Sequence, residues 1–139
     1  MIVIADDFAA FRRWLRSKLQ ENGFQAVAEA SDGLEAVARA TELQPDLVIL
    51  DIGMPHLDGI AAAVQIRSSA PNSKILFVSQ ITDPEIVQST LNDGAAGYLC
   101  KSKVEHEILP AIEAVLAGKR YISPGGRPTS DMSLAGRII

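Results

Sequence analysis

One cysteine, Cys100, is all the sequence has. No disulfide can therefore form within the chain, and a reducing compartment is expected. Basic charge is also in short supply: 13 Lys and Arg stand against 17 Asp and Glu, for a formal net charge of −4. A chain with that balance is not expected to grip nucleic acid by itself, because phosphate contacts need clustered Lys and Arg. Long hydrophobic runs are missing too. The N-terminal apolar stretch, Met1 to Ala5, is far too short for a signal peptide or a membrane span, and acids follow it at once. A cytoplasmic location without membrane contact is the expectation. Nor is there an internal repeat or a low-complexity stretch. What is present is an ordinary globular composition over 139 residues, 47% hydrophobic and 22% charged, enough for one compact domain.

Short apolar runs alternate with longer helical patterns. The runs are Ile2 to Ala5, Gln25 to Ala30, Leu47 to Leu50, Ile75 to Val78 and Gly97 to Cys100. Several are continuous β-branched or leucine stretches, which suits strands covered on both faces, as in a parallel sheet. Between them, Phe8, Phe11, Leu15 and Leu19 recur at helical spacing, with Asn22-Gly23 as the stop. Leu34, Val37, Ala38 and Thr41 mark a second helix before Pro45, and Ile60, Ala63 and Val64 a third ending near Pro71. Pro84 opens a fourth with Ile86, Val87 and Leu91, stopped by Gly94. Val104, Ile108, Ile112, Val115 and Leu116 make the fifth, with Gly118 after it. The order βαβαβαβαβα predicts an α/β fold, a five-stranded parallel sheet flanked by five helices.

Three aspartates fall at the carboxyl ends of these strands: Asp6 and Asp7 after the first, Asp51 after the third. In an open parallel sheet, ligands bind at that edge, where the winding direction reverses. Converging carboxylates repel one another, and a hard cation such as Mg2+ relieves this through oxygen ligands. Ser79 follows the fourth strand and Lys101 the fifth, supplying a hydroxyl and a positive charge. Together these groups describe phosphoryl transfer, where catalysis is mostly positioning and charge neutralisation. Taken singly, an aspartate after a strand is most often a helix cap or turn former. Asp32-Gly33 and Asp83-Pro84 are read that way.

The residues also carry a resemblance. Asp6-Asp7, the run Asp51-Ile52-Gly53-Met54-Pro55-His56-Leu57-Asp58-Gly59, Val78-Ser79 and Gly94 to Lys101 together resemble the receiver domain of two-component response regulators, of the CheY-like fold. Gly118 to Pro124 resembles the receiver exit in the NarL/FixJ type. The resemblance implies a flavodoxin-like strand order 2-1-3-4-5 and a receiver over residues 1–122. It implies that Asp51 accepts a phosphoryl group from a sensor histidine kinase. Mg2+ would be bound by Asp7, by Asp6 through water, by Asp51 and by the backbone carbonyl of Gly53. Lys101 and Ser79 would contact the phosphoryl oxygens, and Tyr98 would swing inward as Ser79 moves, completing the switch. The chain would then be a phospho-acceptor switch, not an enzyme beyond slow autodephosphorylation. In the full-length parent it would control transcription, with a homodimer as one mode of output. Residues 123–139 are expected to be a flexible linker or tail without a complete DNA-binding domain.

Departures from the family pattern are modest. Ser79 stands where threonine is frequent, Ser102 where proline is common after the lysine, and Gln80 where a small residue is usual. Gln80 is expected to crowd the acceptor pocket. His56, His106 and Cys100 are read as a loop histidine, a surface histidine and a small buried hydrophobe, and Trp14 as partly buried on the flank of the first helix. Two other functions compete. An aspartate-dependent phosphohydrolase would want an Asp-x-Asp motif after the first strand, which Asp6-Asp7-Phe8 does not supply. A phosphorylation-silent binding module on the same fold would be marked by loss of the acids or the lysine, and all are present.

Overall fold

The computed structural model describes residues 1–123; of the stretch expected to be a linker, 123–139, all but Ser123 lies outside the described residues. Strands and helices alternate: β1 (Ile2–Ala5), α1 (Ala9–Glu21), β2 (Val27–Ala30), α2 (Gly33–Leu43), β3 (Leu47–Leu50), α3 (Gly59–Ser69), β4 (Lys74–Ser79), α4 (Pro84–Asn92), β5 (Gly97–Cys100), α5 (Val104–Leu116) and β6 (Tyr121–Ile122). The strands form one parallel sheet in the order β2-β1-β3-β4-β5-β6. This is the expected winding with one strand more. Only two residues long, β6 is below the length at which an apolar pattern can be recognised. All four residues of β1, β3 and β5 are buried, which is why their sequences are apolar without alternation.

Two compact units make up the chain, Met1–Phe77 and the part from Val78 onward. In the first, β1 lies between β2 and β3, with Ala5 opposite both Ala30 and Leu50. Leu15 and Leu19 bury α1, and Ile66, Ala62 and Ala63 bury α3. In the second, β5 pairs with β6, and α5 buries Val104, Ile108, Ala111, Ile112 and Val115.

Aspartates start three helices. Asp32 accepts from Glu35 N in α2, Asp58 from Ala61 N in α3, and Asp83 from Glu85 N in α4, where Pro84 takes the first turn. Each satisfies a backbone donor that a helix leaves orphaned. The expected cap roles of Asp32 and Asp83 are therefore observed. Stops follow the expected glycines, with Gly23, Gly94 and Gly118 all at positive φ. Helix α2 ends before Pro45, as expected, but the device that ends it was not foreseen: Gln44 takes the left-handed conformation at φ 47° and its Nε2 donates to Thr41 O and Ser69 O.

The expected inward stripe of α2 is corrected. Leu34 is 55% exposed, and Ala38 and Thr41 also face solvent. The buried positions are Gly33, Ala36 and Ala40. This helix packs on α3, β1 and β2 and does so through its smallest side chains. A Cβ on Gly33 would lie only 1.8 Å from Leu57 O, so the close approach demands glycine. Val64 of α3 is exposed for the same reason, since Gly59, Ala62, Ala63 and Ile66 take the inner face. Phe8, expected to head the α1 stripe, stands outside that helix as its N-cap and is exposed.

Candidate phosphoryl-acceptor site

Backbone pairing carries the acids to one place. Asp6 and Asp51 are the next residues after the paired Ala5 and Leu50. Asp6 N donates to Ala30 O at 3.1 Å and Asp51 N to Ala5 O at 3.0 Å, so both side chains leave from the same level of the sheet. One carboxylate oxygen each from Asp6, Asp7 and Asp51 lies within 4.8 Å of the others. Asp6 and Asp51 are buried and Asp7 is exposed. Three acids this close repel strongly when all are ionised. An all-oxygen donor set of this kind fits a hard divalent cation, whose charge offsets the repulsion.

Short-range bonds hold each acid. Asp6 Oδ1 accepts from Phe8 N at 2.8 Å, and Asp51 Oδ1 accepts from Ile52 N at 2.8 Å. The loop after Asp51 is folded tightly by Gly59 N and Met54 N, both donating to Ile52 O. Gly59 was expected to ease the turn into α3, and its role is stricter: a Cβ there would lie 1.9 Å from Asp51 O. Gly53, expected to lend its carbonyl to a cation, has open space at its Cβ position. His56 lies on this loop at φ 68°, and its Nδ1 is 2.8 Å from Asp32 Oδ2. It is a surface histidine, as expected, with a hydrogen-bonding partner that sequence spacing did not suggest. The bond from Glu35 N, joined by that from His56, holds the Asp32 carboxyl below its usual range.

Behind the acids stands a charged network that the sequence reading missed. Arg12 Nη1 donates to Asp6 O at 2.6 Å and Arg12 Nε to Glu29 Oε1 at 3.0 Å, while Arg16 Nη1 donates to Glu29 Oε2 at 3.0 Å. Burial pushes the Glu29 carboxyl up, but the hydrogen bonds and charges of Arg16 and Arg12 outweigh it and leave the group below its ordinary value. The available signal was the acidic Glu29 within an otherwise apolar β2 run, a residue that must be paired when half-buried.

The second unit carries the hydroxyls. Ser79 ends β4 and Tyr98 lies in β5, both buried. They meet on one backbone residue: Ile81 N donates to Ser79 Oγ at 3.3 Å, and Tyr98 Oη donates to Ile81 O at 2.7 Å. Tyr98 thus already occupies an inward position. Lys101 begins a 3-10 turn directly after β5 and is partly exposed. Gln80 faces solvent. Cys100 is buried, as expected, and its Sγ lies 3.2 Å from Ser102 Oγ. Trp14 is 38% exposed, flanked by Phe11 and Lys18. Among the described residues, no helix is long and apolar enough to cross a membrane.

Comparison with known proteins agrees with this arrangement. The oxygen regulatory protein NreC of Staphylococcus aureus is 37% identical over 123 residues, covering 87% of this chain and 57% of NreC; the chain thus spans little more than half of that relative's length. A crystal structure of a two-component response regulator of the LuxR family from Aurantimonas sp. SI85-9A1 superposes with a TM-score of 0.84 at 34% identity, covering 90% of each chain. The signal receiver domain of the response regulator NarL from Mycobacterium tuberculosis gives a TM-score of 0.79 at 34% identity, covering 85% of this chain and 96% of that one. The model of the response regulator receiver domain matches residues 2–113. With that match over most of its length, the chain belongs to the response regulator receiver domain family, of the NarL type.

Proposed function

We propose that this receiver accepts a phosphoryl group on Asp51 from the phosphohistidine of a sensor histidine kinase. The observation that carries the reading is the meeting of Asp6, Asp7 and Asp51, with carboxylate oxygens within 4.8 Å of one another, at the ends of β1 and β3. An Asp51 carboxylate oxygen bonds to phosphorus as the P–N bond breaks, and the bonding pair stays with the imidazole. Asp51 Oδ1 is held by Ile52 N, which orients the carboxylate for attack.

Asp6, Asp7, Asp51 and the Gly53 carbonyl are the groups that would hold Mg2+. When bound, the ion neutralises charge on the acids and on the phosphoryl oxygens. Lys101 is assigned to pair with those oxygens and Ser79 to donate its hydroxyl to them. Ser79 Oγ accepts from Ile81 N, and Ile81 O accepts from Tyr98 Oη, so a turn of the Ser79 hydroxyl away from Ile81 N would be felt at Tyr98. The acyl phosphate would therefore bias the β4–α4 segment through one residue, Ile81, as a population shift between two states.

The chain's own chemistry in this reading is phosphoryl acceptance and slow hydrolysis of the adduct, in the cytoplasm. Control of transcription, and association of two receivers as its means, are proposed for the full-length parent. Contact with DNA would fall to a separate domain.

Addition of beryllofluoride and Mg2+ should give bound fluorine resonances in the 19F NMR spectrum, lost in Asp51→Asn. A folded wild-type protein showing only free beryllofluoride would refute the acceptor assignment and favour a phosphorylation-silent binding module.

A further inference from the structure

We propose that Arg12 is the positioning residue of the acidic pair: it fixes the Asp6–Asp7 peptide so that the two carboxylates are held ready for a divalent cation. The inference rests on the cation reading above and adds a residue to it.

Asp6 is anchored to β2 from both of its backbone sides. Its N–H donates directly to Ala30 O, and its carbonyl accepts from Arg12 Nη1, whose Nε is bonded to Glu29 of the same strand. The peptide unit is planar, so fixing the Asp6 carbonyl fixes the Asp7 nitrogen and Cα as well. Asp7 is exposed and follows the last residue of β1, Ala5, by two positions; no strand pairing extends to it. The Arg12 bond is where the fold constrains its approach. That bond is charge-assisted, the stronger kind. The Arg12 side chain is 16% exposed, so solvent competes weakly for it.

The arrangement needs an arginine. Its planar fork serves the Glu29 carboxylate and the Asp6 carbonyl together, whereas a lysine presents one ammonium to both. Arg16 provides an internal contrast. It bonds the same Glu29 but is 40% exposed, and no bond joins it to Asp6 among those described. A positive charge near a cation site weakens cation binding by simple electrostatics. Removing either arginine for its charge alone would therefore tighten binding. Removing Arg12 for its geometry would loosen it. The two roles predict opposite signs.

The test uses Mn2+ as probe, with free ion measured by its EPR signal, on the wild type and on Arg12→Gln, Arg12→Lys and Arg16→Gln. Loss of an outer group that orients metal ligands typically weakens affinity by about ten- to a hundredfold. That loss is expected for Arg12→Gln, with a smaller loss in the same direction for Arg12→Lys, which keeps the charge. Arg16→Gln is expected to bind Mn2+ as well as the wild type or slightly better. The Asp7 amide resonance should move in both Arg12 variants and stay in place in Arg16→Gln. Should Arg12→Gln fail to fold, Arg12→Lys and the Asp7 resonance carry the decision. Wild-type affinity or tighter in folded Arg12 variants would overturn the assignment while leaving the cation reading intact. A wild type that binds no Mn2+ would overturn both.

Discussion

The acid-bearing unit and the hydroxyl-bearing unit are held in contrasting ways. Asp6 and Asp51 are tied through backbone donors to β2 and β1, through their own side chains to Phe8 and Ile52, and through Arg12 to Glu29. Removing one bond leaves several others. Ser79 and Tyr98 converge on the single residue Ile81, in an irregular stretch between β4 and α4. A site that must receive a charged group benefits from parts that do not rearrange. An element that must report that event benefits from a small energy gap between two arrangements. In the proposed reading the two demands are met separately: the acids are held by many redundant bonds, while Ser79 and Tyr98 share a single residue, Ile81.

The strongest way to break that contrast is to strain the rigid end. Gly59→Ala places a methyl against Asp51 O and should cost about 3 kcal/mol or more in urea unfolding. Gly53→Ala, six positions earlier on the same loop and with open space at its Cβ, should stay within about 0.5 kcal/mol of wild type. Equal effects would mean the loop yields as a whole.

Next in size is Tyr98→Phe, which leaves Ile81 O without its hydroxyl donor and should cost about 1 kcal/mol. Faster amide exchange should be confined to the stretch around Ile81; changes spreading through residues 1–77 would erase the contrast between the units.

A smaller effect concerns Glu29, whose carboxyl lies below its ordinary value near 4.5. A depressed carboxyl adds stability that is present above the unfolded value and lost as pH falls through the folded one. Glu29→Gln should therefore remove less than about 1 kcal/mol at neutral pH, given an exposed partner in Arg16. It should also flatten the acid limb of the stability profile below pH 4.5.

The smallest effect is spectroscopic. Burial, with the bond to Glu107, raises the Tyr121 hydroxyl to about 12. Its contribution is complete below pH 10 and lost as pH rises through about 12. Ultraviolet titration should show the late phenol move earlier in Glu107→Ala.

Much of this was readable from residues alone. Continuous apolar strands, glycine stops, and aspartates past β1 and β3 followed from side-chain chemistry and chain order. Asp32 and Asp83 could be set apart as caps because glycine or proline followed them. The inner face of α2 was not readable. Leu34 is more hydrophobic than Ala36 or Ala40, yet small residues win where another backbone comes as close as Leu57 O does to Gly33. Arg12 and Glu29 were missed because a salt bridge between a helix and a strand has no fixed spacing. The two-residue β6 owes its existence to pairing with β5, not to any pattern of its own.

That last strand has a mechanical meaning. Gly97 pairs with Tyr121 and Tyr98 with Ile122, while Ser123 N donates to Tyr98 O at 2.8 Å. The residue that closes this ladder, Ser123, heads the segment expected to be a linker and is fully buried. The polypeptide therefore leaves the receiver from an anchored point on the strand that bears Tyr98. Ser123 thus moves with β5: a tilt of that strand would re-aim the backbone where the described residues end.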